Sequence, residues 1–529
     1  MLIFLVGFLS TALLYHPAMG WNVNTRLALV FAVADMGTLS IDGYHEPGMP
    51  TETGDKAFFE GRFYSDKIVG VSVLALPAYW LARTINGGSL SFEWGHFLSK
   101  LWAVSVPAGL GLWLFFLLMA KLGAPPRRAL IASVLLFFGS MWFGYSTIFM
   151  PYAPALAACL GALYLTFFPL ANRLTVLNCA MIGGLLGFAL LCELTLAFLV
   201  FGLGVVWLLR VADQAGLAGM RAFAEMAGER TRLLHTAIFA LSFWVGVLIP
   251  MSIFFAYSWT IFGKFTIPYE YEANEMFREG MARGIMGIET PRLGPLYFIT
   301  VHPYRGLFFW TPILLLAIAG CIAATRQYGK RRIVGWLGLY TTLAYLLFNA
   351  GYYMWWGGWC MGPRFLIPVI PILGLGLGEL LREGKLSMFE RHPSMAKPVR
   401  YGVVSLGVLG VALSLPLSLY EPQIPQGNPH ELLMDASISS APAVPQFVYL
   451  QAFYQARFGV APWVRMGFTE PGDPLSNALS VLGFLLIVAG LAGAAYRLLP
   501  TALPGVHRRD YPFATVDGAA APPPPRREP

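Results

Sequence analysis

The chain has 529 residues, of which 57% are hydrophobic and only 12% charged, with a mean hydropathy of +0.62. That balance excludes an ordinary soluble globular protein and points to a chain that crosses a membrane many times. The formal charge of +8 is no argument for nucleic acid, because the lysines and arginines fall in short clusters between apolar runs, as they do in cytoplasmic loops.

Leu2 to Tyr15 has the apolar core of a signal peptide. It lacks a basic flank, however, and is followed by His16-Pro17 where a small-residue cleavage site would stand, so it reads as an uncleaved first span. Arg26 to Leu39 has helical periodicity but is short and contains Asp35. Ile68 to Arg83 is apolar but interrupted by Pro77, which lacks a backbone donor. By length and pattern either is a span or a helix lying on the membrane surface, and the charge distribution selects the surface. Between them runs a polar loop, Ser40 to Lys67, that gathers Asp42, His45, Glu46, Glu52, Asp55, Lys56, Glu60, Arg62, Asp66 and Lys67 in an otherwise apolar protein.

Charge then orients the spans. A periplasmic Asp42–Lys67 loop makes the span near 97–120 run inward and end at the basic stretch Lys121 to Arg128, as cytoplasmic enrichment in Lys and Arg requires. Spans near 129–147, 151–170, 175–191, 194–209 and 234–260 follow, then 307–325, 333–350, 365–381, 401–419 and 476–496. They place Arg173, the 210–232 loop, Lys330-Arg331-Arg332 and the 382–400 loop in the cytoplasm. The fold class is therefore an all-α polytopic membrane protein with about 12 transmembrane helices plus periplasmic juxtamembrane helices. Residues 1–500 form the membrane domain, with periplasmic loops at about 16–96, 261–305, 351–364 and 420–475. Residues 501–529 form a cytoplasmic tail whose Pro- and Ala-rich end reads as disordered. The expected location is a bacterial inner membrane, with the active side periplasmic.

The candidate chemistry lies in those external loops. A carboxylate among Asp42, Asp55 and Asp66 suits a general base, or a share in a divalent metal, though acids are also ordinary in solvated loops. Asp66-Lys67 stands directly before a surface helix, which holds an acid and a base together near the headgroups. Arg364, after Gly362-Pro363, opens an apolar run and offers a planar fork for phosphate oxygens, the alternative being a snorkelling anchor. His302-Pro303-Tyr304-Arg305 repeats the arrangement at the mouth of the next span. Tyr352, Tyr353, Trp355, Trp356 and Trp359 crowd one turn with Gly357 and Gly358. They form either an interfacial belt or a surface for a sugar ring or isoprenoid chain. The chain has no Walker loop, dinucleotide fingerprint, HExxH or GxSxG. Its five cysteines, four in or beside apolar runs and Cys360 in a loop, form no disulfide framework or zinc spacing. No metal-ligand set is indicated, and the cofactor is left open: a divalent metal is compatible with the loop acids but not indicated.

With these residues in view, the chain resembles the multi-spanning C-type glycosyltransferases, the group of the bacterial aminoarabinose transferase and the protein O-mannosyltransferases. The family's Lys-Pro-Pro-Leu motif looks like Tyr64-Ser65-Asp66-Lys67-Ile68-Val69 here, which would make Lys67 the carrier-phosphate lysine. Where the family has Asp-Glu ahead of Arg-Tyr-Ala, this chain has Val23-Asn24-Thr25-Arg26-Leu27-Ala28. It also has no aspartate in Ser146 to Tyr152, where a second family acid would fall. The resemblance implies that a sugar on a polyprenyl-phosphate carrier is moved to a periplasmic or envelope acceptor, whether glycan, lipid or protein. Asp42 or Asp55 takes over as base, with Asp66 beside them. Lys67, Arg364 and Arg305 hold the donor phosphate, while Tyr64, Tyr304, Trp355 and Trp356 contact sugar, lipid or acceptor. The rival readings are a lipid or glycan flippase, or a non-catalytic envelope-assembly subunit.

Overall fold

A computed structural model describes residues 1–16, 20–215, 230–383, 393–427, 446–447 and 474–500. The chain is a helical, multi-pass membrane protein. Six of its described helices are long and apolar enough to cross a bilayer: Phe92–Lys121, Leu194–Gln214, Leu234–Phe262, Lys330–Gly351, Ser394–Tyr420 and Val481–Leu498. Shorter apolar helices accompany them, among them Leu2–Ala12, Tyr152–Phe167, Val176–Cys192 and Ile313–Thr325. The segment expected at 365–381 is broken, into a single 3-10 turn at Arg364–Leu366, a helix at Val369–Gly374 and another at Gly376–Leu380. Pro368 and Pro371 remove backbone donors there, so no continuous ladder forms.

Small residues let the helices approach closely, which matters where lipid removes any hydrophobic drive for helices to associate. Val176–Cys192 carries Gly183 and Gly187 on one face. A Cβ on Gly183 would stand 2.0 Å from the Phe243 carbonyl oxygen, and one on Gly187 2.4 Å from that of Val247. Alanine at either position would push Leu234–Phe262 away. Lys100, buried inside Phe92–Lys121, donates to the carbonyls of Thr11, at 2.7 Å, and Leu14. A cation thus closes the C-terminal end of the first helix, where the free carbonyls need donors.

The basic loop ends meet at one end of the bundle. Lys121 and Lys330 both lie over the Phe168 ring, at 5.9 and 4.3 Å. Arg127 donates to the Leu499 carbonyl, and Arg128 pairs with Glu383, which Arg400 also approaches. Arg331 holds Glu379 of the broken segment in a buried ion pair.

The polar loop between the two flanking helices is itself folded. Its first helix runs Trp21–Phe31 and continues as a wide turn through Met36. The loop then folds a β-hairpin, Ala57–Phe59 against Arg62–Tyr64, in an otherwise helical protein. Glu60 and Gly61 both take positive φ, 47° and 79°, the conformation of the tight two-residue turn that suits the twist of paired strands. A helix at Gly70–Ile85, with Pro77 inside it, follows. At 16 residues it reaches about 24 Å, short of a bilayer core of about 30 Å.

Candidate functional site

The hairpin explains why distant acids converge. Its open end pairs Ala57 with Tyr64, so Asp55 and Asp66, just outside that end, are brought side by side. A bridge between Ala57 and Glu272, with the Ala273 amide donating to the Lys56 carbonyl at 2.8 Å, adds a third carboxyl from the 261–305 loop. Lys67 sits among them: its ammonium lies 2.9 Å from Asp55 and in direct contact with Asp66. The Tyr269 ring covers it at 5.1 Å. All four charged side chains are buried, Asp66 completely.

Burial decides their protonation. It works against the Lys67 ammonium, but Asp55 and Asp66 outweigh it and hold that group above the ordinary lysine range. Burial pushes the Asp66 carboxyl up, while Lys67 opposes the rise. Glu272 is pushed up to about 9, first by burial and then by Asp66, with Lys67 pulling the other way. One ammonium among three carboxyls is short of positive charge, which favours the protonated form of Glu272. Asp66 Oδ1 is buried with no hydrogen-bond partner.

The helix Trp21–Phe31 supports this cluster from below. Thr25 donates to Ser65 at 3.1 Å, and Ser72 donates to the Arg26 carbonyl at 2.9 Å. The buried Arg26 guanidinium bonds Asn22 and approaches Glu193 at 3.6 Å. An apolar groove of about 260 Å³ opens between Leu29, Val33, Val69, Val73, Ile253 and Tyr257, and Val69 follows Lys67 by two residues. The Tyr257 hydroxyl donates to the Ser65 carbonyl at 3.3 Å.

The turn Tyr352–Arg364 holds two further cations, Arg305 and Arg364. Arg305 is fully buried in it and donates to the carbonyls of Trp356, Cys360 and Gly358 at 2.9, 2.7 and 3.0 Å. The turn can present those carbonyls because Gly357 and Gly358 take φ of 76° and 70°, a region that favours glycine. Trp355 is buried between Phe298, Tyr304 and Trp356. The Trp356 indole donates to Gln426 at 2.8 Å, and Tyr304 donates to the Gln426 carbonyl at 2.6 Å. Tyr304, Trp355 and Trp356, three of the four aromatics expected to touch sugar, lipid or acceptor, pack within the turn, and Trp359 is its exposed indole.

Arg364 differs from Arg305. It has no carboxylate and no hydrogen-bond partner among the described residues, and its Nε is shut off from solvent without one. Its charge reaches Tyr145, Tyr152, Cys360 and Asp55. Burial pushes the Tyr352 phenol up to about 12, and Lys67 and Arg364 both pull against that rise. That phenol therefore lies within the field of both cations.

Of the residues expected from sequence, the structure brings Asp55, Asp66 and Lys67 together and lets Arg364 act on the same surroundings. It places Asp42 elsewhere: exposed, and accepting the Phe63 amide at 2.7 Å as a brace of the hairpin. Tyr64 packs in the hairpin against Phe262 at 6.3 Å. The sequence does not point to Arg26 and Glu193 at the site, and it marks Tyr269 and Glu272 only as part of the aromatic and acidic run Pro268 to Glu272, a weak signal for sugar contact. The Glu-Gly turn flanked by aromatics was the available signal for the hairpin; the place of Glu272 beside Lys67 depends on a long-range bridge. Among the described residues no set of His, Cys, Asp and Glu is arranged to hold a metal ion.

No protein-family model matches the sequence, and no curated protein matches it. Solved structures similar to this chain include ArnT from Cupriavidus metallidurans bound to undecaprenyl phosphate, at 17% identity and a TM-score of 0.46, covering 94% of this chain and 76% of that one. They also include the archaeal oligosaccharyltransferase AglB from Archaeoglobus fulgidus in complex with an inhibitory peptide and a dolichol-phosphate. That match has 14% identity and a TM-score of 0.41, covering 78% of this chain and 55% of that one. These solved proteins have the C-type glycosyltransferase fold that the sequence resembles.

Proposed function

We propose that the protein is a membrane glycosyltransferase that moves a sugar from a polyprenyl-phosphate carrier to an envelope acceptor on the periplasmic side. The observation that carries this reading is Arg364: a guanidinium without a carboxylate, acting on the same phenol as a lysine set among carboxyls. A planar cation without a protein counter-ion suits phosphate oxygens. The apolar groove that starts at Val69, two residues after Lys67, suits the first units of an isoprenoid chain.

In this reading the acceptor hydroxyl oxygen attacks the anomeric carbon from the face opposite the carrier. The bond from that carbon to the phosphate oxygen breaks, its electron pair leaves with the carrier phosphate, and the hydroxyl proton passes to Asp55. Of the two aspartates the sequence left open, Asp55 is the one whose charge reaches both Lys67 and Arg364. Protonating Asp55 also loosens its hold on Lys67 as the leaving phosphate gains charge, so the ammonium turns toward the phosphate when stabilisation matters most. Twelve spans place both chain ends in the cytoplasm. The gathering of Lys121, Arg127, Arg128, Lys330 and Arg400 at the other end of the bundle supports that orientation.

The test uses full-length protein in vesicles with a radiolabelled polyprenyl-phosphate sugar and envelope extract. Transfer is expected from the wild type, reduced about 10²-fold in Arg364→Ala and less in Arg364→Lys, which keeps charge but loses the fork. Passage of the lipid-linked sugar across the bilayer without any transfer would replace the enzyme by a flippase.

A further inference from the structure

The 261–305 loop contributes more than Glu272. Past the helix Glu275–Met281 it makes a tight hairpin in which Ile285 and Ile288 exchange backbone hydrogen bonds of 3.0 Å. Met286 sits at the tip with φ of 53° between Gly284 and Gly287, which also take positive φ. A methionine in that region is strained. Ile285 is 78% exposed, Met286 45% and Leu293 84%. Arg283 and Arg292, also exposed, flank these apolar groups.

The depth of this hairpin is fixed by its contacts. Lys330–Gly351 has 22 residues and reaches about 33 Å, enough to cross a bilayer core of about 30 Å. Gly351 therefore ends at the membrane boundary. The Glu289 amide donates to the Gly351 carbonyl at 2.9 Å, the Arg292 amide donates to that of Ala350 at 3.2 Å, and Ile288 bridges Tyr352. On the same helix Trp336, Leu343 and Leu347 are exposed large apolar side chains. Their spacing puts them on one face, and Gly351 continues it. Gly351 itself is covered by Glu289 and Pro291. The exposed apolar groups of the hairpin thus prolong the lipid-facing stripe of a span at the level of the headgroups.

We propose that residues 283–293 are a membrane-seated hairpin, with Ile285, Met286 and Leu293 in the boundary between headgroups and acyl chains and Arg283 and Arg292 at the lipid phosphates. Apolar tips flanked by arginine suit that boundary. The same hairpin holds the aromatic turn: the Tyr353 amide donates to the Gly287 carbonyl at 2.8 Å, and the Tyr353 ring packs on Gly280 and Gly287. Seating in lipid therefore fixes one side of the candidate site. The proposal rests on membrane depth and exposure alone, so it stands or falls apart from the proposed reaction.

The natural cysteines of the described chain are all buried, which leaves an added one free for labelling. An environment-sensitive fluorophore is placed at Ile285→Cys, at Leu293→Cys and, as a solvent control, at the exposed Glu46→Cys, in full-length protein in lipid vesicles. Nitroxide carried on lipids just below the headgroups is expected to quench the probe at 285 and 293 several-fold more than at 46. Aqueous iodide should show the reverse order. Iodide quenching at either 285 or 293 equal to that at 46 overturns the proposal. Should Ile285→Cys fail to fold, Met286→Cys gives the same reading at the tip.

Discussion

The polar loop and the aromatic turn use the same kinds of residue for opposite ends. In the loop a lysine is enclosed by acids: Lys67 contacts Asp55 and Asp66, with Glu272 completing the set. In the turn the cations stand apart from acids. Arg305 is consumed by four backbone carbonyls and organises the turn, whereas the Arg364 guanidinium lies over the Phe365 ring and is left with no carboxylate or hydrogen-bond partner among the described residues. Residue type does not separate an anchor from a ligand; what has already been hydrogen-bonded does. One wall holds surplus carboxyl and can take a proton, and the other holds a cation that lacks its anion.

The loop wall is broken most severely at Lys67. Lys67→Ala leaves Asp55, Asp66 and Glu272 buried without a counter-charge, and removing one partner of a buried pair costs about 3–5 kcal/mol. Thermal unfolding should show a large loss of stability that Lys67→Arg restores in part. On the turn, Arg305→Lys keeps the charge but cannot reach all four carbonyls at once. It is expected to cost about 1–3 kcal/mol in the same measurement, while transfer per folded molecule stays near that of the wild type. Equal stability for Arg305→Lys would mean that the two arginines are not divided in this way.

The acidic surplus is sharpened by pH. Glu272 has an ordinary value of 4.5, raised to about 9 in the folded chain, chiefly by burial. Between those values the folded state binds a proton that the unfolded state has released, so stability falls as pH rises from about 4.5 toward 9. Glu272→Gln should flatten that decline. An unchanged slope would mean that the proton is not kept there. The smallest effect belongs to Asp42, which braces the Phe63 amide from an exposed position. Asp42→Ala should cost about 1 kcal/mol and leave transfer intact.

Composition made the membrane class legible, and long apolar runs located most helices, because hydropathy and length alone decide which segments cross lipid. The same signals failed at 365–381, where Pro368 and Pro371 break an apolar run into short pieces. Asp55, Asp66, Lys67 and Arg364 could be singled out because charges are rare here and stand in loops. Spacing could not show that Asp55 meets Lys67 while Asp42 does not, since that depends on the hairpin: it turns Asp42 to the outer edge and brings Asp55 to Lys67. Nor could Arg305 be told from Arg364, because both precede apolar runs and only the carbonyls of residues 356–360 tell them apart.

The contrast between a satisfied and an unsatisfied cation is measured most directly by binding the carrier without its sugar. Full-length protein in nanodiscs is titrated with a polyprenyl phosphate, comparing the wild type with Arg364→Ala, Arg305→Lys and Asp42→Ala. If Arg364 is the anion receptor, Arg364→Ala should weaken binding by about tenfold or more, as expected for the loss of a charged hydrogen bond, while Arg305→Lys and Asp42→Ala bind as the wild type does. Equal affinity of Arg364→Ala and the wild type, in protein shown to be folded, would contradict the account.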